Sequence, residues 1–262
     1  MATLIVEITH RCPCNCVECP IPENVKKHGK IMDISEFSYV LRLFADRFPD
    51  EDKYLIISGG EPSIVPNLSD YVSVAHMLGF RVTIVTNAYN PNALLRSGAD
   101  LIEVSIDYAN PKKHDSYRGV MGLWDRAVEL ARKLYPVVAV RSTWFGDNTE
   151  DIIKLADIFR DRVVCMPAVY RTGNIYRKLD MDWITKLKLK YHGVVIAREC
   201  DHSRFATVDP DLNVLVCPFV RINLGKISNE TLDKLAKLSG CPAKRVKAKK
   251  VKIIKSVLYN II

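Results

Sequence analysis

Four cysteines within eight residues are the strongest chemical feature of this sequence. They lie in the segment Cys12-Pro-Cys-Asn-Cys-Val-Glu-Cys19, directly after a mostly apolar run at residues 4–8. Cys12, Cys16 and Cys19 are separated by three and then two residues, so one short loop can surround three sides of a small metal centre. Thiolates suit zinc and iron–sulfur clusters, but structural zinc usually takes two separated ligand pairs. We therefore predict an iron–sulfur centre, with zinc or inert thiols as alternatives and Cys14 left without a role.

A pair of glycines follows the next short apolar strand. The segment Ser58-Gly59-Gly60-Glu61-Pro62 comes directly after the strand pattern at residues 54–57. Glycine at the end of a strand lets the backbone take a positive φ or approach a ligand closely. Taken alone, the pair is also consistent with an ordinary tight turn.

Together, the cysteine segment and the Gly-Gly-Glu-Pro segment resemble the radical SAM superfamily. In that family three cysteines hold a [4Fe–4S] cluster, S-adenosylmethionine (SAM) binds the open iron, and a Gly-Gly-Glu-Pro segment holds the methionine amino group. The resemblance implies both cofactors for this chain, with metal ligands Cys12, Cys16 and Cys19 and cofactor-binding residues Gly59, Gly60, Glu61 and Pro62. One departure is Glu18, because relatives usually have an aromatic residue there that packs against adenine.

Strand and helix patterns alternate along residues 4–170. Strands are predicted at residues 4–8, 54–57, 80–85, 101–106, 137–143 and 163–170, with helices between them from Asp33, Leu68, Pro91, Leu123 and Glu150. Residues 20–31 lack an apolar period and are predicted to form a loop. Strict alternation predicts a parallel sheet with right-handed crossovers. The predicted fold class is α/β: a partial (β/α)6 TIM-like barrel, open on one side, with a small C-terminal β-hairpin and helix appendage.

Each predicted strand ends in polar residues, and the carboxyl ends of parallel strands share one rim where ligands bind. The segments Ser105-Ile-Asp107 and 114–119 also resemble the peptide- and cofactor-modifying branch of the family. That resemblance implies that Ser105 and Asp107 contact the SAM ribose and that Arg118 lies near the SAM carboxylate. The remaining strand-end candidates for cofactor binding are Asn87 and Thr143.

The C-terminal part is predicted to be separate, with domains at residues 1–172 and 173–262 and a helix at residues 180–189. A turn at Pro210–Asn213 joins two short strand patterns that return Cys217 towards Cys200. This region resembles the twitch or SPASM appendage of radical SAM maturases, which implies an auxiliary cluster on Cys200, Cys217 and Cys241. Three cysteines do not complete a cubane. Open alternatives are a free iron, a fourth ligand such as His202 or Cys165, or loss of the cluster.

Composition limits the function further. The chain has 262 residues, 48% of them hydrophobic, and a net charge of +8. No apolar run approaches the roughly 20 residues of a membrane span, and no secretory signal precedes the first strand, so we expect a cytoplasmic protein. The acid-free run at residues 244–255 is expected to be a solvated terminal segment rather than a nucleic-acid site.

For the activity, the resemblance implies reductive cleavage of SAM to a 5′-deoxyadenosyl radical that attacks a substrate carbon. The substrate is expected to be a peptide or protein, and the first alternative is a small molecule of cofactor biosynthesis. An electron donor such as a ferredoxin or flavodoxin is then required. A non-catalytic zinc- or nucleic-acid-binding module is the alternative from another class. Glu103, Asp209 and Asp211 are unranked candidates for acid–base roles.

Overall fold

A computed structural model of the chain describes residues 1–159, 162–172, 175–180, 195–196 and 201–246. Six parallel strands form its centre, each hydrogen-bonded to the next in chain order: β1 (Ala2–Thr9), β2 (Lys53–Gly59), β3 (Phe80–Thr86), β4 (Leu101–Ser105), β5 (Val138–Trp144) and β6 (Val163–Pro167). These confirm the predicted strands. The sixth is shorter than predicted, because residues 163–170 divide into β6 and a separate strand β7 (Val169–Thr172) in another sheet.

Helices connect these strands: α1 (Glu23–His28), α2 (Ile34–Arg47), α3 (Leu68–Met77), α4 (Pro91–Leu95), α5 (Pro111–Arg118), α6 (Leu123–Lys133) and α7 (Thr149–Phe159), with a 3₁₀ helix at Pro62–Ile64. The side chain of Asp33 caps α2 and that of Glu36 completes the capping box. The predicted loop at residues 20–31 is wrong, because α1 lies within it. Helix α1 has no apolar face, and its buried residue is Lys26.

The remaining described elements are β8 (Ile175–Leu179), β9 (Val195–Ile196), β10 (Phe205–Val208), β11 (Asn213–Leu215), β12 (Asn223–Lys226), α8 (Asn229–Ala236) and β13 (Lys244–Val246). The large sheet has the order β12-β11-β10-β1-β2-β3-β4-β5-β6-β9, and β13-β8-β7 form a small one. Within the described ranges the two edge strands of the large sheet, β12 and β9, do not pair with each other. The sheet is therefore an open, partial barrel, as predicted.

The C-terminal hairpin extends the barrel sheet. Strand β10 pairs in parallel with β1, with Leu4 opposite Ala206 and Val6 opposite Val208, and β11 pairs antiparallel with β10. The division at residues 172 and 173 remains a prediction. Cys200 and residues 181–189 of the predicted helix lie outside the described residues, and of the basic run only Lys244–Val246 is described.

The core lies between the sheet and the helices. In β1 the side chains of Leu4, Val6 and Ile8 are fully buried, and α2 buries Phe37 and Phe44 against the same layer. Burial of each such side chain contributes about 1.5–3 kcal/mol. In the described part of the chain, no helix combines the length and apolar character needed to cross a bilayer.

Candidate functional site

The cysteine loop, residues 12–19, begins after β1 and is held by backbone hydrogen bonds from two helices. The N–H of Cys12 donates to the carbonyl of Lys26 in α1 (3.1 Å). On the other side, the N–H of Asn15 donates to the carbonyl of Arg118 at the end of α5 (3.0 Å). The loop is thus positioned by α1 and α5, neither of which sequence periodicity predicted.

A buried ammonium group braces the same loop. The side chain of Lys26 donates to the carbonyl of Cys14 (3.3 Å) and to Oδ1 of Asn15 (2.9 Å), although Lys26 is only 5% exposed. The pKa of Cys12 is lowered, mainly by its hydrogen bond with the Cys14 thiol and in part by the charge of Lys26. A cation beside the thiols favours their deprotonated, metal-binding form.

Cys12, Cys16 and Cys19 line one cavity at the carboxyl ends of the strands. Among the described residues, no three of the loop cysteines have sulfur atoms within 4.8 Å of one another. A single zinc ion with bonds of about 2.3 Å needs sulfurs about 3.8 Å apart. The three sulfurs are therefore not gathered around one point as the ligands of a single zinc ion are. Burial raises the pKa of Cys16 to about 11, so metal binding there must release a proton.

Cys14 lies behind these three thiols. It is 2% exposed, and its sulfur accepts a hydrogen bond from Nδ2 of Asn87, which follows β3 (3.1 Å). The same amide nitrogen lies 3.8 Å from the sulfur of Cys12. The Asn87 amide therefore links the buried Cys14 to Cys12, which gives the fourth cysteine a structural contact and brings the predicted residue Asn87 to the thiols.

Glycine is required at positions 59 and 60 because the backbone there lies very close to the backbone at the start of the cysteine loop. The N–H of Gly60 donates to the carbonyl of Thr9 (2.7 Å), and the N–H of Glu61 to that of Arg11 (2.9 Å). A Cβ on Gly59 would lie 2.3 Å from the Thr9 oxygen, and one on Gly60 would lie 2.2 Å from the Arg11 oxygen. Gly59 also has a φ of +130°. The pair joins β2 to the loop backbone-to-backbone.

Replacing Gly60 with alanine is expected to destabilise the fold by about 3 kcal/mol, at the upper end of overpacking costs, because the obstructing atoms belong to the backbone. Gly98→Ala is the control: Gly98 has a positive φ, which adds backbone strain that Gly60 does not have, but no atom lies within 4 Å of the added Cβ. The control is expected to lose only about 1–2 kcal/mol. Urea unfolding of both variants measures the difference, and equal losses would contradict the close contact.

Glu61 is buried without a cationic partner among the described residues. Its carboxylate accepts hydrogen bonds from the N–H groups of Ser63 (3.0 Å) and Asn87 (2.8 Å) and from the hydroxyl of Thr86. Burial raises its pKa, and these hydrogen bonds partly offset that effect. Glu61 is 1% exposed. Its hydrogen bonds to Thr86 and Asn87 fix the end of β3 to the end of β2.

Asp107, directly beyond β4, forms a buried ion pair. Its Oδ2 accepts from Nε (3.0 Å) and Nη2 (2.5 Å) of Arg118, and its Oδ1 accepts from the N–H of Thr143 in β5 (2.9 Å). Nη1 of Arg118 lies 4.0 Å from the sulfur of Cys16. The pair therefore connects two strand ends to the cysteine loop, and Arg118 together with the N–H of Thr143 occupies both oxygens of Asp107.

The structure brings nearly all of the predicted residues to the same cavity. Its lining includes, from the predicted set, Cys12, Cys16, Cys19, Gly59, Gly60, Glu61, Asn87, Ser105, Asp107, Arg118 and Thr143. Pro62 is buried in the 3₁₀ helix behind the lining. Sequence reasoning missed Glu7, Arg141 and Arg221, which also line the cavity. The first two had a usable signal, since each is a charged residue inside an apolar strand.

Glu18 lines the cavity beside two tyrosines. Burial raises the pKa of Tyr117 and of Tyr170, and the Glu18 carboxylate raises both further. Tyr117 packs against Phe145 with ring centroids 4.8 Å apart, and both line the cavity. Aromatic surface is therefore present here although position 18 is not aromatic.

The C-terminal cysteines form a separate small cluster. Cys217 is 7% exposed, its sulfur accepts the N–H of Val220 (2.9 Å), and Cys241 packs on the same cluster. Nε2 of His202 lies 3.2 Å from the carbonyl of Gly240, next to Cys241. Cys165 is fully buried in β6, where burial raises its pKa to about 12. Two of the three predicted auxiliary ligands thus lie together, and the third, Cys200, is outside the described residues.

Comparison with known proteins agrees with this site. The sequence model of the family described as "Radical SAM superfamily" matches residues 6–159. The chain therefore belongs to the radical SAM superfamily, whose enzymes use a [4Fe–4S] cluster and SAM.

Two curated relatives are similar to the chain. A PqqA peptide cyclase of Gluconobacter oxydans is 26% identical over 162 residues, which are 60% of this chain and 44% of the relative. An AdoMet-dependent heme synthase of Methanosarcina barkeri is 29% identical over 164 residues, 59% of this chain and 46% of the relative. The chain thus spans less than half the length of these relatives.

Solved structures share the fold. SuiB of Streptococcus suis superposes with a TM-score of 0.66 at 17% identity, covering 90% of this chain and 65% of SuiB, and it was also solved with its precursor peptide SuiA. The enzyme anSMEcpe, solved with AdoMet and the Kp18Cys peptide, has a TM-score of 0.64 at 14% identity and covers 99% of both chains.

Proposed function

We propose that this chain is the catalytic part of an enzyme that cleaves SAM reductively and modifies a peptide or protein. The observation that supports this proposal is that one cavity is lined by Cys12, Cys16 and Cys19, by the glycine pair and by the polar strand ends. When bound, the cluster supplies the electron that cleaves SAM to methionine and a 5′-deoxyadenosyl radical, which takes hydrogen from the substrate.

The chain's own residues hold and shield these cofactors. Cys12, Cys16 and Cys19 would hold three irons of the cluster, and the Gly59–Pro62 segment would hold the methionine part of SAM. Its nucleoside and carboxylate would be held by Ser105, Asp107, Arg118, Asn87 and Thr143. In the Asp107–Arg118 pair the two charges offset each other at this part of the rim. A ferredoxin or flavodoxin in the cytoplasm is the proposed electron donor.

Peptide modification is supported by the relatives. SuiB was solved with a precursor peptide, anSMEcpe was solved with a bound peptide, and the cyclase is named for the PqqA peptide. The second candidate is a small molecule of cofactor biosynthesis, favoured by the similarity to the heme synthase. An auxiliary cluster on Cys200, Cys217 and Cys241 is proposed for either substrate, with the closeness of Cys217 and Cys241 as its support.

Anaerobic purification with iron and sulfide analysis is the first test. About four irons per chain indicate one cubane and about eight indicate two. The Cys12→Ala/Cys16→Ala/Cys19→Ala variant is expected to lose about four irons and all formation of 5′-deoxyadenosine from SAM and dithionite. Cys165→Ala, which removes a buried core cysteine, is the control and is expected to keep both. A triple variant that still cleaves SAM would overturn the site.

The substrate class is tested with the same assay. A macromolecular and a small-molecule fraction of source-cell extract are each added to SAM and dithionite, and 5′-deoxyadenosine is measured. Stimulation by the first fraction that protease treatment removes supports a peptide or protein. Stimulation by the second fraction alone supports the small-molecule alternative.

A further inference from the structure

A second group of potential metal ligands lies where β1 meets the C-terminal hairpin. Strands β1 and β10 are parallel neighbours. His10 after β1 and Asp209 after β10 therefore lie at the same, carboxyl end of the two strands. Asp211 follows in the turn between β10 and β11. One donor atom from each of His10, Asp209 and Asp211 lies within 4.8 Å of the others. None of these side chains has a role in the SAM site described above.

His10 is buried without a hydrogen bond to its ring among the described residues. Its side chain is 9% exposed and packs closely against the backbone of Gly29, where an added Cβ would lie 2.4 Å from the His10 Cβ. Nδ1 lies 3.9 Å from Oδ2 of Asp211, which is too far for a hydrogen bond. Two ligands about 2.1 Å from one ion can be up to about 4.2 Å apart. The observed separation fits that limit.

Three hydrogen bonds orient the carboxylate of Asp209 and leave it able to bind a cation. Its Oδ1 accepts the N–H groups of Asp211 (3.0 Å) and Asn213 (2.9 Å), and its Oδ2 accepts Nδ2 of Asn213 (3.1 Å). A carboxylate has about four acceptor positions, so these three bonds fix its orientation and leave one position. Asp209 is 6% exposed, and a buried carboxylate is stabilised by a cation.

The neighbouring lysine and arginine side chains form hydrogen bonds or ion pairs with other groups. Lys30 pairs with Glu36, and Arg221 forms a bidentate pair with Glu7 at 2.6 and 2.9 Å. Lys226 donates to the backbone carbonyl of Asp211 (2.5 Å). In the described part of the chain, neither Asp209 nor Asp211 pairs with a lysine or arginine within 4.0 Å. The two carboxylates therefore lie near His10, with Arg221 partly offsetting the charge of Asp209.

Space for further ligands lies beside two of the three side chains, His10 and Asp211. A cavity of about 490 Å³ is lined by His10, Asp211, Asn24 and His28, among others. It can hold the waters that complete the shell of an ion with three protein ligands. Imidazole together with carboxylates suits divalent ions such as Mn²⁺ and Fe²⁺.

We propose that His10, Asp209 and Asp211 bind one divalent metal ion of the Mn²⁺ or Fe²⁺ class, which joins the C-terminal hairpin to the start of the cysteine loop. His10 lies two residues before Cys12, and the hairpin leads through Cys217 to Arg221 in the cavity wall. The ion fixes the distance between these two walls of the cavity. It is independent of the radical chemistry, because no cysteine is among its ligands.

The test uses the full chain, purified anaerobically with its cluster, and Mn²⁺ as the probe. The electron paramagnetic resonance signal of free Mn²⁺ measures uptake. The wild-type chain is expected to bind one Mn²⁺, and its thermal midpoint is expected to rise with added Mn²⁺. Asp211→Asn, at an exposed position, is expected to weaken binding at least about tenfold and to abolish the rise of the midpoint.

Two variants make the result specific. Asp201→Asn removes another exposed carboxylate, one that accepts the N–H and the hydroxyl of Ser203, and is expected to bind Mn²⁺ as the wild type does. Cys16→Ala is expected to lose cluster iron and keep Mn²⁺ binding, which separates this site from the proposed function. Absence of stoichiometric Mn²⁺ uptake by the wild type, or equal affinity in Asp211→Asn, overturns the proposal. Either of these outcomes is expected if His10 and Asp211 form a direct ion pair and no metal ion binds between them.

Discussion

Replacing Arg118 with methionine is expected to lower the free energy of unfolding by about 3–5 kcal/mol, because it leaves a buried carboxylate without its cation. The side chain of Asp107 is 1% exposed and that of Arg118 is 14% exposed, so solvent cannot replace the lost charge. Two donors of Arg118 on one oxygen make the pair directional as well as ionic. Urea unfolding followed by far-ultraviolet circular dichroism measures the loss.

The same substitution at an exposed site is the control for Arg118. Arg42 in α2 is exposed and contacts Ser38 through a 3.3 Å hydrogen bond. Arg42→Met is expected to change stability by no more than about 0.5 kcal/mol. Adding Asp107→Asn to Arg118→Met should recover part of the loss, since the unpaired charge is then gone. A loss below about 1 kcal/mol in the single variant would mean that the pair is solvated.

Acidification from pH 6.5 to pH 4 is expected to lower the free energy of unfolding by about 3 kcal/mol through the protonation of His114 alone. Its ring is fully buried, and Nδ1 accepts the N–H of Asp107 (3.3 Å), which requires the neutral form. Burial, with a contribution from the charge of Arg118, lowers its pKa from 6.5 to about 4. Between these values the unfolded chain binds more protons than the native one, so stability falls as the pH falls.

His114→Asn tests this pH dependence. The Asn oxygen can replace Nδ1 as the acceptor for Asp107, while the titrating ring is removed. The variant is expected to be less stable at neutral pH, because space is left in the core, and to show a shallower decline towards pH 4. His28→Asn removes an exposed ring and is the control. Parallel curves for His114→Asn and wild type would show that His114 does not contribute.

Patterns that depend on burial of one face could be read from the sequence. The alternation of apolar residues predicted the six central strands, and the helical pattern from Asp33 predicted the start of α2, because both signals are local. Helices α1 and α5 were missed for the opposite reason. Helix α5, with the sequence Pro-Lys-Lys-His-Asp-Ser-Tyr-Arg, buries His114 and Asp115 instead of an apolar stripe. Tertiary contacts hold such helices, and periodicity does not report them.

The site was predictable where motifs fix the position of residues along the chain. The two glycines were expected to permit a close approach, but the partner that comes close is the backbone of residues 9–11 rather than a ligand alone. The Glu7–Arg221 pair, which lines the same cavity, joins residues 214 positions apart. No local pattern in the sequence relates such distant residues, so that part of the site required the fold.

The pairing of β1 with β10 also has a consequence for how the chain is assembled on the ribosome. Strand β1 emerges first, and β2 can cover one of its edges early, but its other edge stays open until residues 205–208 have been made. An open strand edge invites pairing with other chains. Nearly the whole barrel must therefore be synthesised before the strand that leads into the cysteines is protected on both sides.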